Sequence, residues 1–301
     1  MVTYRPMDKP YEKAGVLIEA LPYIRSFSGK TVVIKYGGAA MVEESLKDAF
    51  AQDIVLLNFI GIRPVIVHGG GPRISKTMER MGKKPTFIHG QRFTDEETMD
   101  IVEMVLGGLV NKEIVSLINR HGGRAIGLSG KDGGLLKARR KGVRRSSKAS
   151  GTGAPEIIDL GLVGEVEQVE PDVLDTLEEA NFIPVIAPVA VGPGGETLNI
   201  NADYVASAVA AAVGAEKLML LTDSPGILDK QARLLTSLTR RRIQTLIRNG
   251  TISGGMIPKV DAALKALDAG VSKVHIVDGR VPHCLLLEVF TKEGIGTEIM
   301  K

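Results

Sequence analysis

Six short β-branched runs recur along the chain with stretches of helical period between them: Thr31 to Tyr36, Pro64 to His68, Arg124 to Leu128, Phe182 to Val189, Lys217 to Thr222 and Lys273 to Val277. Parallel strands need long crossovers, usually helical, so this alternation predicts a parallel sheet. Near-continuous apolar strands such as Val32, Val33, Ile34 and Val65, Ile66, Val67 require helices on both faces. The stretch Glu43 to Ile60 supplies one, with Leu46, Ala49, Phe50, Ile54 and Leu57 on one stripe and its charges mostly on the other. Another opens at Thr94 with Glu97 three residues on, a capping box, and continues through Ile101, Val105, Leu109 and Ile114 until Gly122 and Gly123 end it. The expected fold is α/β: an open, mainly parallel sheet sandwiched between helices, with an N-terminal helical extension. In that extension Ala14 to Phe27 carries Leu17, Ile18, Leu21 and Ile24 in a helical pattern that Pro22 interrupts.

At 301 residues the chain fits two domains or one large α/β unit, at about 150 residues per domain. Thirty-eight basic against 35 acidic side chains leave +3, too balanced for a whole-protein field that attracts nucleic acid, so any polyanion site is local. The one cysteine, Cys284, has no intramolecular disulfide partner and excludes CxxC metal or redox motifs, which makes a reducing cytoplasm the expected compartment. Met1 to Lys13 lacks the apolar core of a signal peptide. Apolar runs such as Phe182 to Val191 are broken by prolines and fall short of the ~20 residues that span a bilayer. Between Lys131 and Leu162 the rhythm fades into hairpins or loops with a basic tract, Lys137, Arg139, Arg140, Lys141, Arg144, Arg145 and Lys148, followed by Gly151 to Gly153. A charge run of this kind is ordinarily a solvated face. The alternative, a patch for an acidic partner, lacks interleaved aromatic side chains to stack on bases.

Chemistry is expected at the carboxyl edge of the sheet. The first strand runs into Lys35, Tyr36, Gly37, Gly38 and the second into His68, Gly69, Gly70, Gly71, Pro72, each with a helix beyond. Ligands of open α/β sheets bind at that edge, where helix N-termini offer N–H groups to phosphate or carboxylate. Either turn alone is first a tight βα loop, two of them on one sheet edge point towards anion binding, and neither matches a named nucleotide motif. Lys35 lies at the rim of a buried strand, where an ammonium either snorkels to solvent or meets an anion. Lys259 enters the helix Val260 to Ala269 from a glycine-rich approach, and a cation there opposes the helix dipole unless an anion stands before it. Asn199, Asn201 and Asp203 precede the helix Tyr204 to Val213. Capping by Asn201 explains one of the three. Arg92 is either a surface arginine or a carboxylate clamp.

In chain order the motifs VVIKYGG (32–38), VHGGGP (67–72), QRFTDEETMD (91–100), EMVLGGLVNKEIV (103–115), NRHGG (119–123), NINAD (199–203), GGMIPK (254–259) and DGR (278–280) resemble the acetylglutamate kinases of the amino-acid kinase family over essentially the full length. The resemblance implies ATP-dependent phosphorylation of the γ-carboxylate of N-acetyl-L-glutamate, with Mg²⁺ carried by the ATP, no protein-held metal, and no nucleic-acid or membrane partner. It implies that Lys35 and Lys259 stabilise the transferring phosphoryl group and that Asp203 orients them. Gly70, Gly71, Arg92 and Asn199 would bind acetylglutamate; Gly37, Gly38, Thr222, Asp278, Gly279 and Arg280 would serve ATP. His68 is read as packing or orienting support. Residues 1–28 resemble the extension that links dimers into hexamers in arginine-inhibited members, and LLLEVFTKEGIGT (285–297) resembles their arginine site, with Tyr23, Glu288 and Gly294 as its residues. The expected division is 1–28 for oligomerisation and regulation, 29–190 for acetylglutamate binding and dimerisation, and 191–301 for ATP and L-arginine. The rivals are a sibling kinase acting on aspartate, glutamate, carbamate or UMP, a non-catalytic arginine sensor, and a nucleic-acid binder acting through the basic tract.

Overall fold

A computed structural model describes residues 10–88, 90–145, 156–291 and 294–301. His89, Lys148 and Gly151 to Gly153 lie outside it, as do the first nine residues of the extension and Lys292 and Glu293 of the carboxy-terminal motif. The first half runs α1 (Pro10–Phe27), β1 (Thr31–Tyr36), α2 (Glu44–Phe59), β2 (Arg63–His68), α3 (Gly71–Arg80), β3 (Phe87–Ile88), β4 (Gln91–Arg92), α4 (Glu96–Glu103), α5 (Asn111–Arg120) and β5 (Ala125–Ser129). A hairpin of β6 (Leu136–Arg145) and β7 (Glu156–Val169) follows, then α6 (Asp172–Glu179), β8 (Ile183–Ala187), β9 (Val189–Val191) and β10 (Thr197–Asn199). The remainder is α7 (Ala202–Ala212), β11 (Lys217–Thr222), β12 (Ser237–Thr239), α8 (Arg240–Arg248), α9 (Met256–Asp268), β13 (Lys273–Asp278), α10 (Cys284–Phe290) and β14 (Thr297–Met300).

Among the described residues, eight strands form the central sheet in the order β12-β14-β13-β11-β1-β2-β8-β5. Neighbours from β13 to β5 are parallel, while β14 runs antiparallel to β13. The path turns one way from β1 to β2 and the other way at β11, so β1 and β11 flank the switch point where such sheets bind ligands. Period-two alternation sorts the core. Val32, Ile34 and Tyr36 of β1 pack on one face with residues of α2, α4, α5 and α10. Val33 packs on the other face with α7 and α9. Lys35, two residues beyond Val33, therefore faces α7. The β6–β7 hairpin closes with β9 and β10 into a small four-stranded barrel.

Several local expectations change. Phe182 to Val189 splits into β8 and β9 at Pro188, which has no N–H for a continuous ladder. The extension helix continues through Pro22, because the carbonyl of Ile18 that loses its bond lies on an exposed turn open to solvent. The predicted capping box is displaced by one residue. Thr94 donates its N–H to the Leu160 carbonyl and its hydroxyl to the Arg92 carbonyl, which ties it to β7. Asp95 caps α4 instead, accepting from the Thr98 N–H at 2.8 Å. The helix that follows is interrupted by a π-helical turn, Met104–Val110, around Gly107 and Gly108. Among the described residues no helix is long and apolar enough to cross a membrane.

Hydrogen bonds from Lys83 and Thr98 hold the Asp95 carboxyl at about 2, below its usual range. Asp95→Ala should lower the unfolding free energy by about 1 kcal/mol at neutral pH. Because the folded value is depressed, this contribution is present above the unfolded carboxyl value near 3.9 and fades as pH falls towards 2. Urea unfolding of both proteins at pH 7 and pH 2.5 should show the difference shrinking in acid; a constant difference would contradict the cap.

Candidate active site

Asp203 is the second residue of α7, fixed there by Asn201, whose side-chain oxygen accepts the Asp203 N–H at 2.8 Å. Its carboxylate is buried and stands between two ammoniums. Lys35 Nζ approaches Oδ1 at 3.1 Å from the end of β1. Lys259 Nζ, from α9, lies 3.0 Å from Oδ2 and 3.4 Å from Oδ1. Helix α9 begins at Met256 rather than at the predicted Val260, so Lys259 is inside its first turn, aimed across at α7. Burial pushes the Asp203 carboxyl up, but Lys35 and then Lys259 outweigh it and hold it below the ordinary range. Burial, followed by repulsion from Lys35, lowers the Lys259 ammonium, and Asp203 only partly opposes this. The trio carries two positive charges and one negative, which leaves one positive charge in a dry pocket, where its field is strong.

A cleft of about 1060 Å³ opens beside this trio and is lined by Lys35, Asp203 and both glycine turns. Gly38 is demanded by its left-handed backbone, and Gly37 lies close against the Lys35 side chain. A Cβ on Gly37 would fall 2.7 Å from Lys35 Nζ, and one on Gly38, whose φ is +72°, would fall 2.1 Å from the Asp223 carboxylate. Gly70 and Gly71 open α3, with N–H groups that make no hydrogen bond among the described residues. Arg92 on β4 is buried, donates to the Gly71 carbonyl at 3.0 Å and the Ser75 hydroxyl at 2.8 Å, and lies 4.8 Å from the Phe87 ring centroid. Burial lowers its basicity, and among the described residues no carboxylate lies within ion-pair distance of it. A guanidinium kept dry without a counter-ion is a receptor for an anion. Asn199 on β10 also lines the cleft, its amide donating to Thr94 at 3.3 Å.

Other candidates lie apart. Thr222 and Asp278 end β11 and β13 in register with each other, and Gly279 N–H donates to the Thr222 carbonyl at 2.9 Å. Asp278 holds Arg280 through two side-chain hydrogen bonds of 2.9 and 2.8 Å. These four occupy the same sheet edge beyond Gly38 and do not line the large cleft. Glu288 is buried on α10, bonded to His275 Nδ1 at 2.5 Å and accepting the Ile295 and Gly296 N–H groups. Burial raises its carboxyl, but these bonds outweigh it and leave it below the usual range. Gly294 closes on it, with a Cβ position 2.8 Å from Glu288 Oε2. Tyr23 is half-buried on α1, which packs against α10.

Three residues escaped the sequence reading. Asn111, inside a quoted motif but without a role, is buried against His68. Lys217, at the start of β11, is buried with its ammonium 4.7 Å from the Phe27 ring centroid. Lys141 belongs to the basic tract, yet it lines the cleft beside Tyr204, whereas its neighbours Lys137, Arg139 and Arg140 pair with exposed or half-exposed glutamates as a solvated face does. The strand alternation could have flagged Lys141 only if the register shift between Arg140 and Gly142 had been visible.

Residues 30–278 match the model of the amino acid kinase family. The chain is 61% identical over 290 residues to the acetylglutamate kinase of Syntrophobacter fumaroxidans, covering 96% of this chain and 97% of that protein. It is 60% identical over 294 residues to the acetylglutamate kinase of Geotalea uraniireducens, covering 98% and 100% respectively. Among solved structures, N-acetylglutamate synthase from Neisseria gonorrhoeae superposes with a TM-score of 0.82 at 29% identity in its complex with coenzyme A and N-acetyl-glutamate. The match covers 96% of this chain but only 63% of that longer one. The same synthase complexed with coenzyme A and L-arginine gives 0.78 at 27%, covering 96% and 65%. A carbamate kinase from Giardia lamblia bound to AMP-PNP shares the fold, with a TM-score of 0.61 at 19% identity over 91% of this chain and 99% of that one. The chain belongs to the amino acid kinase family, alongside its acetylglutamate kinases.

Proposed function

We propose that the protein transfers the γ-phosphoryl group of ATP to the γ-carboxylate of N-acetyl-L-glutamate, a step of arginine biosynthesis carried out in the cytoplasm. The observation that carries this reading is the convergence of Lys35 and Lys259 on Asp203 beside the cleft, which Lys35 and Asp203 line. The nucleophile is a carboxylate with a pKa of about 4, already ionised at neutral pH, so no general base is needed. The obstacle is repulsion between two anions, and catalysis reduces to alignment and charge neutralisation. Asp203 keeps two mutually repelling ammoniums within reach of one another. Charge developing on the phosphoryl oxygens then draws both lysines without any rearrangement of the protein. Gly70 and Gly71 present N–H groups to the acetylglutamate end, Arg92 clamps its α-carboxylate and Asn199 its amide portion. Gly37 and Gly38 admit the ATP phosphates against the backbone, with Thr222, Asp278, Gly279 and Arg280 along the edge that receives the nucleotide. Mg²⁺ enters on those phosphates and supplies further charge neutralisation. Residues 29–190 and 191–301 divide this work between acetylglutamate and ATP.

The two ends of the chain support the further reading that L-arginine regulates the enzyme and that it forms hexamers. Glu288 offers a buried carboxylate for a guanidinium, Gly294 allows close backbone approach, Tyr23 comes from α1, and the Lys217 ammonium stands ready for the α-carboxylate. On α1, Val16, Leu17, Ile18 and Leu21 are exposed. An apolar stripe of this kind calls for a partner copy, in keeping with a trimer of dimers.

Incubation with MgATP and N-acetylglutamate, glutamate, aspartate, carbamate or UMP in turn, with acyl phosphate trapped by hydroxylamine and ADP release compared, should give strong turnover for the acetylated substrate alone. Equal or greater turnover of another acceptor would assign the site to that sibling activity. Lys35→Met and Lys259→Met should each lower kcat about 10²- to 10³-fold with far smaller changes in KM; near-normal turnover in both would refute the pairing. Saturating L-arginine should reduce activity at least about fivefold in a six-copy assembly seen by light scattering. A dimer indifferent to arginine would overturn the regulatory reading.

A further inference from the structure

The cleft has a buried polar support that the mechanism above leaves unused. His68 ends β2 and is fully buried, which pushes its imidazole down to about 4 and keeps the ring neutral. Its Nδ1 lies 2.9 Å from the Gly69 carbonyl oxygen, which only accepts hydrogen bonds, so the ring proton is on Nδ1. That leaves Nε2 as an acceptor, and the Asn111 amide nitrogen approaches it at 3.2 Å. The orientation of Asn111 is fixed in turn, because the same nitrogen faces the carbonyls of Val185 at 2.8 Å and Leu128 at 3.3 Å, where an oxygen would be repelled. The fit is specific: a Cβ on Gly127 would fall 1.8 Å from Asn111 Oδ1. Among the described residues that oxygen is buried without a hydrogen-bond donor, a costly arrangement in a core that an apolar side chain would fill.

The π-helical turn explains how Asn111 reaches this position. Met104–Val110 ends directly at Asn111, and its added residue rotates the helix that follows relative to α4. The same turn lays Leu106 and Val110 against Gly70, whose Cβ position would be 2.5 Å and 3.5 Å from them. One short element thus packs on the glycine turn and delivers the amide that fixes its histidine.

We propose that Asn111 and His68 form a positioning relay that holds the Gly69–Gly70 peptide with the Gly70 N–H turned into the cleft. Carbonyl and N–H of one trans peptide point in opposite directions, so pinning the Gly69 oxygen on the imidazole sets the direction of the Gly70 N–H. That N–H makes no hydrogen bond among the described residues and is left for an oxygen of the acceptor carboxylate. The relay rests on the acetylglutamate reading for the identity of that anion, but its tautomer is independent of it.

The asparagine amide nitrogen overlays Nδ1 of histidine, whereas the glutamine amide nitrogen overlays Nε2. In the full-length enzyme His68→Asn should therefore keep kcat within about threefold of the parent, and His68→Gln and His68→Phe should lose about a hundredfold, the scale of a small misplacement of reacting groups, with KM for ATP nearly unchanged. Asn and Gln variants of equal activity, or a Phe variant with normal kcat, would overturn the relay. Two-dimensional ¹⁵N NMR of the histidine rings in the unsubstituted protein decides the matter even if the variants fail to fold: the Nδ1–H tautomer at pH 7 is expected, and an Nε2–H or charged His68 ring contradicts it. An unsubstituted enzyme that shows this tautomer but does not phosphorylate N-acetylglutamate would sink the substrate reading and leave the geometry of the relay standing.

Discussion

A buried carboxylate between two ammoniums is the interaction on which the rest of the site depends. Two lysines alone in a dry pocket would repel each other and lose protons; burial and Lys35 together already lower Lys259. Asp203 partly offsets both effects, and it neutralises only one of the two charges. On the proposed function, that surplus is what suits the pocket to a phosphoryl group in transit between two anions, the charge distribution that transfer to a carboxylate requires.

The sheet is the means of assembling this trio. Strand alternation on β1 turns Val33 into the core and Lys35 towards α7. Asn201 starts α7 at the point that brings Asp203 to the sheet edge, and α9, packed beside α7, supplies Lys259. The neighbouring strand β2 runs straight into a second glycine turn, so the two turns proposed to receive phosphate and carboxylate are adjacent because β1 and β2 are hydrogen-bonded in register, with Tyr36 opposite His68.

Much of this was legible in the sequence, for identifiable reasons. Parallel strands buried on both faces write themselves as unbroken apolar runs, and the positions of Lys35, Gly37 and Gly70 at strand ends follow from those runs. The partner of Lys35 did not follow, since Asp203 is remote in the chain and only a motif resemblance connected them. Thr94 and Asp95 are both good caps, and the choice was made by a tertiary bond from Thr94 to the Leu160 carbonyl that no local spacing encodes. Asn111 reads as an ordinary helix residue because a π-helical turn leaves no reliable mark beyond Gly107 and Gly108. Lys141 was hidden in a charge run until a register shift in the hairpin aimed it at Tyr204.

The cooperation of the two lysines is tested most directly by a crystal structure of the protein with MgADP, N-acetylglutamate and aluminium fluoride, a mimic of the phosphoryl group in flight. Both Nζ atoms, of Lys35 and of Lys259, should lie within hydrogen-bond distance of the fluoride ligands, about 3 Å, while Asp203 still bridges them. A fluoride complex bound with either ammonium turned away, or with Asp203 no longer touching both, would contradict it.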